Sequence, residues 1–395
     1  MMELCVPTNW DDRLLERIRN RDGGRRITEI YGKLPFDAVG GGRSAFALAF
    51  ISRGHARRHI RTVRGLGIRF NYLLNAMCLD NSEFTRAGQK RISTLLDWIV
   101  SSGADKVTVS NPYLFMWIRR RYPQLGVCVS TISGVDTVSR AKFWESLGAD
   151  MITLHNSAVN RDLNLIRQMR KALACRIQVI ATNSCLLDCP FSEFHNLSTG
   201  HASQTWHRCG SYFFDHYVLR CRFLRIADPV RFIRSDWIRP EDSQIYEDLG
   251  IDSLKLTDRQ LSTPALMKIV EAYLDRSYEG DLLELFSTLR GFSCLDHRGV
   301  LRKILALITQ LPGALAARRF MDCFEKLKVR IDNRALDGFV AGLPAGCTGR
   351  DCRDCGYCRA AAQRAVKIDE QYRVSACKRF EDVLAELSTR GLNGR

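Results

Sequence analysis

Val127 to Asn156 reads VCVSTISGVDTVSRAKFWESLGADMITLHN. A β-branched run, Val127–Thr131, gives way to a helical pattern over Asp136–Leu147, in which Val135, Val138, Ala141, Phe143 and Leu147 mark an apolar face and Gly148 supplies the C-terminal stop. Met151–Leu154 then returns to an apolar strand that ends on two polar residues, His155 and Asn156. A strand, a helix and a second strand in this order imply neighbouring parallel strands joined by a crossover helix.

The same rhythm runs outward in both directions. Strands are predicted at Glu3–Val6, Arg26–Ile30, Ile68–Leu74, Lys106–Ser110, Val127–Thr131, Met151–Leu154, Arg176–Thr182, Arg231–Arg234 and Ser253–Leu256, with helical patterns between them. So many units over residues 1–290 fit an α/β fold of TIM-barrel-like (β/α)8 type better than an open doubly wound sheet, and no GxGxxG follows a first strand. Many of the strands end in polar residues: Asn75, Asn111, His155 with Asn156, Asn183, and Asp258 with Arg259. In a barrel such ends gather on one face, where active sites are built; polar loops are also the ordinary condition of any surface.

Two stretches break the rhythm. Leu186 to Asp228 is longer than a structureless loop in a compact domain and carries four of the eight histidines, so it reads as a lid or site-building excursion after the seventh strand. Beyond residue 290 the pattern turns helical (Val300–Leu311, Ala314–Lys328, Arg359–Val366, Phe380–Leu387), which sets apart residues 291–395 as a small, mainly helical, cysteine-rich C-terminal region.

Of 395 residues, 46% are hydrophobic, enough for a large core, and the net charge is +16, which favours anionic partners: an acidic metabolite, RNA, or an acidic protein. No apolar run approaches the ~20 residues that span a bilayer and the N-terminus lacks the order of a signal peptide, so the expectation is a cytoplasmic protein with no membrane association. Fifteen cysteines in a reducing compartment turn attention from disulfides to metals.

Cys347, Cys352, Cys355 and Cys358 form C-x4-C-x2-C-x2-C, close enough for one loop to turn four thiolates toward one centre, as an iron–sulfur cluster requires and as a zinc knuckle also does. NSCLLDCPFSEFHN, residues 183–196, carries Cys185 and Cys189 directly after the seventh strand, with Cys209 and Cys221 further along the excursion. Two thiols four apart can grip one metal cluster, although the spacing alone also arises by chance; with only Cys185, Cys189 and Cys221 as ligands one iron stays open to substrate, or is bound by Cys209 or a histidine such as His195 or His201. The remaining cysteines sit mostly in apolar runs and read as core fillers.

HNSAVNRDLNLIRQMRK, NSCLLDCPFSEFHN, Cys221 and the block from Trp237 to Gly280 resemble peptidase family U32, over roughly residues 1–290. The resemblance implies a barrel holding a four-iron four-sulfur cluster on Cys185, Cys189 and Cys221. It also implies kinship with oxygen-independent hydroxylases of ubiquinone precursors, of a tRNA uridine and of an rRNA cytidine, with prephenate the suspected oxygen donor. Those hydroxylases space their first two cysteines more widely. The C-terminal four-cysteine loop lies outside the resemblance and would hold a second cluster, passing electrons to the first.

Proteolysis would need an activated nucleophile or a metal-bound water, and neither HExxH nor GxSxG is present. Oxygen transfer to a small biosynthetic intermediate is therefore the leading expectation, with RNA-base hydroxylation as its alternative and a U32-type peptidase after that. In the leading reading His155 and His195 are proton carriers, and Asn111, Asn156, Arg239 and Arg259 bind substrate. A protein partner of the same family or a separate electron donor would accompany the enzyme. FMWIRRRY (Phe115 to Tyr122) could stack RNA bases, but an amphipathic helix with Phe115, Trp117 and Ile118 packed inward explains the same letters.

Overall fold

The computed structural model describes residues 1–45, 48–207, 215–286, 322–349, 352 and 354–390. Eight parallel strands close into a barrel in sequential order: β1 (Glu3–Pro7), β2 (Ile27–Gly32), β3 (Arg69–Leu74), β4 (Lys106–Val109), β5 (Gly126–Val129), β6 (Met151–Thr153), β7 (Arg176–Ile180) and β8 (Ser253–Lys255), which pairs back with β1. The (β/α)8 expectation holds, with one strand fewer than the nine predicted. Arg231–Arg234 lies in a short helix, because an apolar run this brief reads equally as helix or strand.

The strands show the period of two that a barrel demands. Outward-facing Leu4, Val6, Ile30, Phe70, Val107, Val109, Val127 and Val129 join the large apolar cluster under the helices. Inward-facing positions are largely polar and satisfy one another. Glu29 accepts from Asn71 Nδ2 at 2.9 Å and pairs with Lys106 Nζ at 2.9 Å, and Thr108 donates to Asn71 at 3.0 Å. Across the barrel Thr153 donates to Gln178, which donates to Ser253, each at 2.9 Å. A buried network so completed is a solid floor under the cavity at the strands' C-terminal ends.

The surrounding helices are α1 (Asp12–Asp22), α2 (Arg53–Gly65), α3 (Arg86–Ser102), α4 (Pro112–Arg121), α5 (Val138–Ser146), the single turn α6 (Asn156–Val159), and α7 (Leu163–Ala172). Between β7 and β8 come α8 (Ser192–His201), α9 (His216–Ala227), α10 (Val230–Ile233) and α11 (Ser243–Asp248); α12 (Thr263–Asp275) follows β8. In α4, Leu114, Phe115 and Ile118 are buried, Trp117 packs against the core, and Arg119 pairs with Asp150, so the inward-packed reading of FMWIRRRY describes this helix. In α5 the expected apolar face is only partly used, since Ala141 is buried and Phe143 is 55% exposed.

The predicted helix over Val300–Leu311 and most of that over Ala314–Lys328 lie outside the described residues. The rest of the C-terminal region contains α13 (Tyr357–Ala365) and α14 (Glu370–Arg390). It also contains a two-stranded antiparallel sheet, β9 (Val329–Ile331) with β10 (Val366–Ile368), that the helical patterns did not foretell. Phe339, Val340, Ala361 and Phe380 belong to the same apolar cluster as the barrel helices. No helix among the described residues is long and apolar enough to cross a membrane.

Candidate functional site

Six strands send their C-terminal ends to one cavity. Tyr31 and the following loop through Gly42 and Arg43 come from β2, Leu73 and Asn75 from β3, Ser130 and Thr131 from β5, His155 and Asn156 from β6, Asn183 and Cys185 from β7, and Lys255 with Asp258 and Arg259 from β8. The excursion after β7 closes the remaining side with Cys189, His195, Cys221 and Arg222.

The loop after β2 is held rigidly enough to serve as a wall. Lys33 Nζ and Asp37 Oδ2 form a fully buried ion pair at 2.8 Å, Tyr72 Oη donates to the same carboxylate at 2.9 Å, and the Val39 and Gly40 amides cap its other oxygen. Gly40 has φ +81, and a Cβ on Gly41 would stand 2.5 Å from Asn75 Oδ1. Only glycine lets this backbone pass so close to β3. Arg43 is thereby delivered to the cavity, where its Nη2 lies 3.3 Å from Asp258 Oδ1.

Positive charge converges here. Arg259 is 7% exposed, and its Nη1 has no hydrogen-bonding partner among the described residues. Burial, with Arg43 close by, pushes its pKa down to about 10. Lys255 Nζ sits 4.2 Å from the centre of the Tyr31 ring. Arg43, Lys255 and Arg259 thus put three cations on the cavity wall, and a guanidinium nitrogen buried without an acceptor among the described residues marks a place for an anion.

Sulfur lines the same cavity, from the loop that follows β7, the neighbour of β8. Cys185, Cys189 and Cys221 all face the cavity and none is in a disulfide. Asn183 Nδ2 donates to Cys185 Sγ at 3.2 Å and Arg225 Nε donates to Cys221 Sγ at 3.4 Å. Burial pushes the Cys185 thiol well up, and Asp236 and the two neighbouring thiols push it further; burial likewise raises Cys189. Among the described residues no three His, Cys, Asp or Glu side chains converge tightly enough for a single metal ion. A cluster differs in that each thiolate takes its own iron, so three cavity-facing sulfurs with N–H donors and buried Arg222 and Arg225 behind them form the donor set that an iron–sulfur cluster could use. Cys209 lies outside the described residues, and His201, stacked on His207 at 4.2 Å, is not on the cavity wall.

The loops after β6 and β7 add polar groups that could orient a substrate. Asp236, fully buried, accepts from Asn156 Nδ2 and, at 3.2 Å, from Asn183 Nδ2. Burial raises its pKa to about 6, while those two amides and nearby arginines pull it back. Thr131 Oγ1 donates to Asn156 Oδ1 at 2.7 Å. His155 is pushed below its ordinary value by burial, which favours a neutral imidazole, and His195 Nε2 lies 3.1 Å from Asp215 Oδ2.

Of the sequence-predicted residues, His155, His195, Asn156, Arg259, Cys185, Cys189 and Cys221 meet in this cavity. Asn111 does not: it caps α4 through the Leu114 amide at 3.0 Å and donates to Glu83 at 3.2 Å. Nor does Arg239, which is buried against Asp242 at 2.9 Å, Asp337 at 3.1 Å and the Asn333 carbonyl at 2.7 Å, clasping the C-terminal region to the barrel. Sequence reasoning missed Arg43, Lys255 and Asp236. A lysine inside the apolar strand SLKL and a GGGR run were the available signals.

Cys347, Cys352, Cys355 and Cys358 share a second, smaller cavity on the outside of the barrel mouth, with Arg161, Leu187, Val230, Phe339 and Tyr357.

The sequence pattern of peptidase family U32 matches residues 51–209. An uncharacterized protease of Methanocaldococcus jannaschii is 27% identical over 303 residues, covering 76% of this chain and 78% of that one. Among solved structures, a U32 peptidase is 18% identical with a TM-score of 0.48, over 65% of this chain and 92% of that one. The N-(5'-phosphoribosyl)anthranilate isomerase of Pyrococcus furiosus is 11% identical with a TM-score of 0.36, over 70% and 98%. The family pattern falls on the segment that builds most of the cavity wall, from α2 to the cysteine excursion, and it is over this segment that the chain is similar to peptidase family U32.

Proposed function

We propose that this chain is an iron–sulfur enzyme of the oxidoreductase class that transfers oxygen, without using molecular oxygen, to a small anionic intermediate bound in the barrel mouth. One observation carries the reading: Cys185, Cys189 and Cys221 face the same cavity as Arg43, Lys255 and Arg259. A cluster held by those thiols would supply one-electron chemistry and, at an iron without a protein ligand, a Lewis-acidic position. The chain's own side chains do the rest. Arg259 and Arg43 receive the carboxylate or phosphate of the substrate, and Lys255 adds charge from the barrel floor. Asn156 and Asn183, both oriented by Asp236, offer amides for its polar groups. His155, neutral near pH 7, accepts a proton at a ring nitrogen, and the excursion with α8 and α9 excludes water from above.

The name of the methanococcal relative points to proteolysis. Among the described residues, Ser157 Oγ lies 3.5 Å from His155 Nε2, and Ser157 is buried and off the cavity wall. That geometry does not activate a nucleophile toward a peptide bound in the cavity. The RNA alternative keeps only the net charge of +16 in its favour, since the α4 aromatics are taken up in packing.

Anaerobic purification with iron and sulfide quantitation, repeated on Cys185→Ala, tests the reading. The variant should lose one cluster, about four irons per chain, together with the visible sulfur-to-iron charge-transfer absorption that belongs to it. Equal iron and equal absorption in both proteins would remove the assignment.

A further inference from the structure

We propose that Cys347, Cys352, Cys355 and Cys358 hold a second iron–sulfur cluster, which takes single electrons from an external carrier protein at the outer edge of the barrel mouth. The four sulfurs come from one loop and the first turn of α13. Gly346 and Gly349 have φ +77 and +74, so the loop reverses twice where other residues would be strained. The Cys347 amide donates to the Pro344 carbonyl at 3.0 Å, and Tyr357 closes the loop by stacking on Phe339 at 5.4 Å while donating to its carbonyl at 2.8 Å. The result is one cavity carrying all four cysteines against apolar Leu187, Val230 and Phe339. Thiols gathered this way serve a metal better than they serve packing.

An independent observation points to a negatively charged occupant. Arg161 lines this cavity and is 3% exposed; its Nε donates to the Ser235 carbonyl at 3.1 Å, and its Cζ lies 4.3 Å over the Trp237 ring. Both its terminal nitrogens are buried and make no hydrogen bond of proper geometry among the described residues, although the Tyr246 hydroxyl is near enough for a weak one and feels its charge. A guanidinium fixed on an aromatic face, offered at most a weak contact with a tyrosine hydroxyl and no carboxylate, has room for an anion. Four thiolates around a dicationic iron–sulfur core carry two net negative charges and would supply one.

Placement gives the role. Cys355 is exposed, so the site meets solvent, and Leu187 on its inner wall is the immediate chain neighbour of Leu186 on the wall of the barrel cavity. Consecutive Cα atoms are about 3.8 Å apart, so little more than one layer of side chains separates the two cavities. Reduction moves one electron from a reduced ferredoxin-class carrier to the cluster, with no bond made or broken. Onward delivery to the barrel thiols rests on the function proposed above.

The test uses the full-length chain, reconstituted anaerobically with ferrous iron and sulfide, with dithionite as reductant. A Cys185→Ser/Cys189→Ser variant should keep about four irons and four sulfides per chain and show the paramagnetic signal of a reduced cluster; a Cys352→Ser/Cys355→Ser variant should lose that signal and that iron. The proposal is overturned if the first variant keeps no iron or sulfide, or binds zinc instead. Should the second variant aggregate, the first still decides, because any cluster it retains must lie outside the barrel thiols. If instead the two variants and the wild type show that only the C-terminal cluster exists, the barrel assignment fails and this one stands.

Discussion

Leu186 and Leu187, adjacent in sequence, face two different cysteine-lined cavities: Leu186 borders the barrel mouth and Leu187 the C-terminal thiol site. The cause is local. Leu186 forms an antiparallel bridge with Ser235, and the Leu187 amide reaches the Arg234 carbonyl, so the chain here is extended and successive side chains point to opposite sides. The short segment from Cys185 to Cys189 therefore belongs to both sites.

A Gly349→Ala substitution should separate the two. The position has φ +74, and the added Cβ would stand 2.7 Å from Leu187 Cδ1, so the loop must shift away from the barrel. Iron at the C-terminal site should fall while the barrel share is unchanged, as read by iron content in the background lacking barrel thiols and in the wild type. Adding Leu187→Ala should restore part of the loss by making room. Equal loss at both sites would mean that the loop has no separate function.

Arg259 and Arg239 differ in what their loss should do, although both are buried. Arg259→Gln removes a guanidinium on the cavity wall with a nitrogen that has no partner among the described residues, so binding of small dicarboxylates should weaken about 10- to 100-fold, the worth of a charge-assisted hydrogen bond. Isothermal titration at fixed ionic strength measures it. Arg239→Gln leaves buried Asp242 uncompensated and should instead cost about 3–5 kcal/mol of stability, read by urea unfolding, with little change in anion affinity where the protein stays folded.

Lys33→Met should loosen the wall that carries Arg43. It strands the Asp37 carboxylate, buried and bonded to Tyr72 and two amides, without its cation, a change worth about 3–5 kcal/mol. Hydrogen exchange over residues 37–43 should rise more than exchange in β4 or β5. Uniform acceleration across the barrel would show that the pair supports the whole fold and not this loop.

The barrel was legible because its strands are apolar on the helix-facing side and its helices carry stops such as Gly148, both local patterns. The thiol sites were legible because Cys185 and Cys189, and the four of the C-terminal loop, are close in sequence. Charge pairing was not. Arg239 and Arg259 look alike as letters, and only the fold reveals that Asn333 and Asp337 fold back onto the first while the second faces the cavity. Arg43 reaches the site across a loop whose path depends on the contact of Gly41 with Asn75, between residues of separate units. Arg231–Arg234 misled because four residues hold too little periodicity to tell a turn of helix from a strand.

His59 should make stability depend on pH near neutrality. Its ring bridges α2 to the first βα unit, with Nε2 2.8 Å from Thr8 Oγ1 and Nδ1 2.6 Å from Asp12 Oδ1. Burial pushes its pKa below the ordinary 6.5; Asp12 pulls upward and His55 downward, and burial prevails. The unfolded chain therefore binds a proton more readily than the folded one between the depressed value and 6.5, so stability rises with pH through that window. The contribution is complete above 6.5 and is lost as pH falls through the folded value. In His59→Gln, which keeps a polar side chain but cannot titrate, anaerobic urea midpoints measured from pH 7.5 down to 5.5 should fall less steeply than in the wild type. Parallel slopes would mean that the imidazole is protonated as easily in the folded chain as in the unfolded one, with Asp12 fully offsetting the burial.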